Sequence, residues 1–142
     1  MPPMDEEPDG DALAVNRAVW TEINARHTDA RALAEWHAPD ITWGTWHIPE
    51  AQVRTLPASL AGLDVVELGC GTAYLSAWLA RRGARPVGVD PTPAQLATAR
   101  RCQRELDLPF PLVEAPAERV PLPDVVFDLA VSEYGAPAPL CL

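Results

Sequence analysis

The chain has no lysine; all 11 of its basic residues are arginine. Against them stand 20 acids, for a formal net charge of -9. A surface that grips nucleic-acid phosphates needs a basic patch, so this balance argues against nucleic acid as a partner. Part of the excess is local, because Asp5, Glu6, Glu7, Asp9 and Asp11 crowd the N-terminus. Over the rest of the chain the acids outnumber the arginines only modestly. The missing lysine, beside abundant alanine and proline, points to a GC-rich genome rather than to a mechanism. Cysteine is scarce as well: Cys70, Cys102 and Cys141 form no CxxC pair and no metal-ligand spacing. No apolar run approaches the ~18 residues of a membrane span. The N-terminus is acidic and proline-rich, not a basic stretch followed by an apolar core, so it is no secretory signal. A reducing cytoplasm is the expected compartment.

What is present suits one small globular domain: 142 residues, 48% hydrophobic and 22% charged. Residues 1–10 are expected to form a disordered acidic tail. A helical cap should cover 11–60. Val15, Val19, Trp20 and Ile23 recur at helical spacing, and Thr28 suits the cap of a second helix carrying Leu33, Trp36 and His37. Pro39-Asp40 ends that helix. Ile41–His47 reads as irregular. Its Trp43 and Trp46, with Trp36, are either core of the cap or an aromatic lid. Pro49-Glu50 then opens a short helix to about Leu56.

From 61 to 142 the pattern changes. Asp64-Val65-Val66-Glu67-Leu68 reads as a buried parallel strand. Gly69-Cys70-Gly71 breaks it, and Leu75, Trp78 and Leu79 begin a helix that stops at Gly83. Glycines there let the backbone take positive φ and let a ligand approach without a Cβ between. Arg85–Val89 is a second strand ending in Asp90, and Thr92-Pro93 starts a helix to about Leu106. A third strand covers Pro111–Glu114, and a fourth covers Phe127–Ser132. Strands alternating with helices mean an α/β fold with right-handed crossovers and a parallel sheet. Ligands of such sheets sit at the carboxyl ends of the strands. The glycine loop, Asp90, Glu114–Glu118 and Ser132–Tyr134 therefore converge on one rim.

The loop is no dinucleotide fingerprint, because Tyr74 stands where G-x-G-x-x-G needs its third glycine. A nicotinamide enzyme is disfavoured for that reason. Glu67, two residues before the first glycine, suits a cationic ligand better than a diphosphate. Asp90, at the end of the second strand, can accept both hydroxyls of a ribose. A cationic, ribose-bearing, phosphate-free cofactor fits these features. Cys70 is a small loop residue in an apolar setting rather than a nucleophile.

Val66–Ala73 resembles the first motif of the class I S-adenosylmethionine-dependent methyltransferases. Val87-Gly88-Val89-Asp90 followed by Thr92-Pro93 resembles their second, and Ala115–Asp124 with Phe127-Asp128-Leu129 their third region and fourth strand. The resemblance implies a Rossmann-like parallel sheet of order 3-2-1-4, incomplete against the family's seven strands. It makes 61–142 a partial S-adenosylmethionine-binding methyltransferase domain. It implies that Glu67 faces the methionyl ammonium and that the Gly69-Cys70-Gly71 backbone passes the methionyl part and ribose. Asp90 would hold the ribose hydroxyls, Ala117 and Glu118 would edge the adenine, and Ser132 would lie near the sulfonium. Two positions depart from the pattern. Ala73 replaces a common glycine, a mild change, and Pro116 replaces a common aspartate, so adenine recognition rests on backbone or Glu118.

The implied activity is methyl transfer to a small-molecule acceptor, by proximity and orientation. A general base is needed only for a protonated acceptor. His37, His47, Glu133 and Tyr134 are the candidates, each read more simply as structural, and no catalytic residue or metal is assigned. The last residues, Gly135–Leu142, read as a truncated or frameshifted end. The alternative to an enzyme is a catalytically incomplete fragment or a non-enzymatic cofactor-binding module.

Overall fold

The structure, a computed structural model, describes residues 10–124 and 126–134. The expected acidic tail, apart from Gly10, and the expectations for Gly135–Leu142, Cys141 included, lie outside those residues. Gly10 opens the first helix rather than closing the tail.

The elements run α1 (Gly10–Arg26), α2 (Asp29–His37), β1 (Thr42–Trp43), β2 (Ile48–Pro49), α3 (Glu50–Val53), β3 (Asp64–Leu68), α4 (Tyr74–Ala80), β4 (Arg85–Asp90), α5 (Pro93–Leu106), β5 (Leu112–Glu114), a 3-10 turn at Ala117–Arg119, and β6 (Leu129–Val131). Four strands form one sheet in the order β5-β4-β3-β6, and all its pairings are parallel. Counted from β3, that is the 3-2-1-4 order expected of the incomplete Rossmann-like sheet. Glu67 pairs with Gly88 on one side and Val131 on the other, so β3 is central.

Alternation along the strands sorts the side chains onto two faces. Val65, Leu112 and Val131 share the face that α4 and α5 cover, where Leu75, Ala77, Trp78, Leu79, Leu96, Ala99 and Cys102 are buried. Val66, Val89 and Ala115 meet Leu122 and Phe127 on the other. Gly88 faces the helices. A Cβ there would lie 2.9 Å from Leu112 Cδ2 and 3.0 Å from Cys70 Sγ. Gly88→Ala is therefore expected to overpack this seam by about 1–3 kcal/mol, read as a lower denaturation midpoint at unchanged m-value. An unchanged midpoint would mean that Leu112 yields freely.

Thr28 caps α2 as expected: its Oγ1 accepts the Arg31 N–H at 3.2 Å. Thr92 occupies the cap of α5, with Pro93 in the first turn, yet its hydroxyl makes no capping bond. The apolar stripe of α1 needs correction. Val15, Val19 and Ile23 are exposed and Trp20 is only half-buried. Polar contacts dock the helix instead, with Arg17 Nε donating to the Pro91 carbonyl at 2.8 Å and Asn24 Nδ2 to Gln95 Oε1 at 2.9 Å. The irregular segment after α2 carries a small antiparallel hairpin, β1 with β2. α3 stops at Val53, short of Leu56, because Arg54 turns left-handed at φ 53. The fourth core strand is also shorter than expected, Leu129–Val131.

The tryptophans divide. Trp36 is fully buried and stacks on Phe110 with ring centroids 5.7 Å apart. Trp43 is half-buried, and its Nε1–H donates to Glu50 Oε2 at 2.6 Å. Trp46 is 87% exposed at the hairpin.

Candidate functional site

The loop between β3 and α4 turns on three left-handed residues: Gly69 at φ 68, Gly71 at φ 56 and Ala73 at φ 63. The two glycines take that conformation without steric cost. Ala73 does not, and it is also the N-cap of α4 with no side-chain oxygen to offer. Glu67 supplies the missing cap from the strand below. Its Oε1 accepts the Ser76 N–H at 3.1 Å and the Ser76 hydroxyl at 2.7 Å. The Cys70 N–H donates to the Val89 carbonyl at 2.9 Å, tying the loop to the end of β4.

Asp90 completes that tie. Its Oδ2 accepts the Gly71 N–H at 2.9 Å, and its Oδ1 accepts the Thr92 N–H at 2.8 Å. One carboxylate thus joins the glycine loop to the turn before α5. The Ala115 N–H reaches the Asp90 carbonyl at 3.2 Å, which draws the third strand end to the same rim. Ala117 and Glu118 follow on the 3-10 turn, Ala117 half-buried and Glu118 exposed. At the fourth strand end Ser132 Oγ donates to the Leu68 carbonyl at 2.9 Å.

The candidate residues thus lie at adjacent ends of neighbouring strands, with one qualification. Cys70 is 4% exposed and its sulfur packs beneath the loop against Gly88, so only its main chain borders the rim. Burial, with Glu67 and Asp90 adding to it, pushes its thiol well above the usual range. That setting opposes nucleophilic chemistry. Burial likewise raises Asp90, against the N–H bonds from Gly71 and Thr92. Glu67, 3% exposed, is pushed up to about 8 by burial; the Ser76 bonds oppose the shift, and Glu133 and Asp90 reinforce it.

One of the candidate bases makes a contact that the sequence does not announce. Glu133 reaches across to the hairpin: its Oε1 accepts the Gly44 N–H at 2.7 Å and its Oε2 accepts the Tyr74 hydroxyl at 2.9 Å. Tyr134, left-handed at φ 57, donates to Thr45 Oγ1 at 3.2 Å. The hairpin is thereby seated beside the rim. No local signal announces a partnership across 89 residues of chain. Trp36 makes the other such contact. Its indole N–H donates to the Thr72 carbonyl at 2.8 Å, fixing the loop from the helical cap. His37 and His47 are both exposed.

Comparison with known proteins agrees with this fold. The family model described as a methyltransferase domain matches residues 66–136, half of the chain. The chain is 40% identical over 76 residues to a ubiquinone biosynthesis O-methyltransferase of Methylobacterium sp. (strain 4-46), covering 54% of this chain and 30% of that protein. The crystal structure of an S-adenosylmethionine dependent methyltransferase from Mesorhizobium loti is 34% identical, with a TM-score of 0.50 over 58% of this chain and 37% of that one. Geranyl diphosphate C-methyltransferase from Streptomyces coelicolor A3(2) shares the fold at TM-score 0.62 and 19% identity, over 89% of this chain and 56% of that one. The chain spans about a third of the length of the first curated relatives it matches.

Proposed function

This chain belongs to the class I S-adenosylmethionine-dependent methyltransferases, and we propose that it binds the cofactor at the Gly69–Ala73 rim for methyl transfer to a small-molecule acceptor. One observation carries the reading. A nearly buried Asp90 at the end of β4 closes the glycine loop, and a second buried carboxylate, Glu67, lies beneath it. The donor set suits the group: carboxylates for an ammonium and for ribose hydroxyls, and glycine backbone for close approach.

In this reading 61–142 holds the cofactor and 11–60 forms the cap. Glu67 meets the methionyl ammonium. Gly69, Cys70 and Gly71 line the methionyl part and ribose with main chain. Asp90 holds the ribose hydroxyls on the lone pairs that Gly71 and Thr92 leave free. Ala117 and Glu118 edge the adenine, and Ser132 stands near the sulfonium. The bound cofactor supplies an already activated methyl group, so the chain's own task is orientation and exclusion of water. The name of the Methylobacterium relative supports oxygen as the acceptor atom. No described helix is long and apolar enough to cross a membrane.

The test is calorimetric titration with S-adenosylhomocysteine. The wild-type chain is expected to bind, and Asp90→Asn to bind about 10–100-fold more weakly, the worth of hydrogen bonds to a charged acceptor. Equal affinities would refute the ribose assignment. No binding by a folded wild-type chain would refute the cofactor site.

A further inference from the structure

Glu67 and Asp90 stand at the ends of β3 and β4, and Glu133 follows the end of the neighbouring β6. Glu67 and Asp90 are both nearly buried. Every hydrogen bond the three side chains receive among the described residues comes from a neutral donor: Ser76 for Glu67, Gly71 and Thr92 for Asp90, Gly44 and Tyr74 for Glu133. None takes part in an ion pair among the described residues. An ionised carboxylate buried without a cation is costly, and a proton is the cheapest cation to hand. Glu67 is the most deeply placed of the three.

We propose that the rim holds a proton on Glu67 before it holds a ligand, and that an arriving ammonium displaces it. This rests on the cofactor reading above and deepens it. The O–H bond of Glu67 breaks, the proton leaves to solvent, and the carboxylate left behind pairs with the ligand's ammonium. Binding is then an exchange of one cation for another.

The surroundings of Glu67 favour this from every side. On α4 the Ser76 hydroxyl is a neutral donor, and the Tyr74 phenol is raised by burial and by Glu133. In the loop the Cys70 thiol is raised by burial. Asp90 from β4 and Glu133 from β6 repel a negative charge on Glu67, which burial already holds near 8. At pH 7 most molecules then carry the proton. Cofactor affinity should fall about tenfold for each unit of pH below that value, while the ligand's ammonium stays charged.

The experiment titrates the full chain with S-adenosylhomocysteine near pH 7 in phosphate and again in Tris, buffers with very different heats of ionisation. The difference in binding enthalpy counts the protons released. Release of about one proton per ligand is expected for wild type, and close to none for Glu67→Gln. Binding with equal enthalpies in the two buffers overturns the proposal and leaves the cofactor site standing. Absence of binding overturns both. Proton release that persists in Glu67→Gln and disappears in Asp90→Asn overturns the assignment to Glu67. If Glu67→Gln does not fold, the two wild-type titrations decide, together with the drop in affinity at pH 6.

Discussion

Trp36→Ala is expected to destabilise the chain by about 4–6 kcal/mol, enough to unfold much of it at room temperature. Two losses add. The indole is fully buried against α4, α5 and Phe110, and truncating such a ring costs about 3–5 kcal/mol. Its N–H is also the partner of the buried Thr72 carbonyl, and an orphaned buried acceptor costs about 1–3 kcal/mol. The terms overlap, because the cavity admits some relaxation. Trp36→Phe separates them: it keeps most of the volume and loses only the hydrogen bond, so about 1–3 kcal/mol is expected. Urea denaturation followed by circular dichroism reads both. Equal losses for the two variants would show that the hydrogen bond, not the packing, holds the loop.

The second large effect is a pH dependence. Stability should fall as pH rises from about 5 to about 8, and Glu67→Gln should abolish most of that fall. The sign follows from the proton count. The folded Glu67 titrates near 8 and the unfolded one near 4.5, so across that window the folded state binds more protons. The contribution is whole below the unfolded value and is lost as pH climbs through the folded one. Each unit of pH inside the window is worth about 1.4 kcal/mol, which makes the total several kcal/mol. Burial raises Asp90 too, and that adds to the slope. Asp64 and Glu50 are lowered by their partners, and their effect belongs to more acid solution. Melting temperatures of wild type and Glu67→Gln should therefore agree near pH 4.5 and separate by pH 8.5, the variant being the more stable. Parallel curves would mean that Glu67 is ionised in the folded chain.

Local chemistry explains which features were legible beforehand. The β3 loop, the Asp90 end of β4 and the Thr92-Pro93 start of α5 each follow from a few adjacent residues, and crossover rules then order the strands. Glu133 with Gly44, and Trp36 with Thr72, depend on distant segments meeting, which periodicity does not encode. The stripe of Val15, Val19 and Ile23 misleads because helical spacing says which residues share a face, not that the face is covered. Ala73 is instructive in a different way. Left-handed alanine costs about 1–2 kcal/mol. Its buried methyl returns about 0.8 kcal/mol, and its stiffer unfolded chain about 0.4–1 kcal/mol. The sum is near zero, so a mild change in the sequence is mild in the fold, although the backbone there is strained.

The attachment of the N-terminal segment to α4 has a consequence for how freely this chain can drift. Trp36 donates to the carbonyl of Thr72, Trp78 to that of Glu35, Arg81 to that of Ala38 and Arg82 to that of Pro39. Every acceptor is main chain, and a carbonyl is the same whichever residue carries it. Mutational tolerance across this seam is therefore one-sided. As far as these bonds are concerned, the side chains of Thr72, Glu35, Ala38 and Pro39 can be exchanged, whereas the indoles and guanidiniums that reach them have no substitute of equal length and donor geometry.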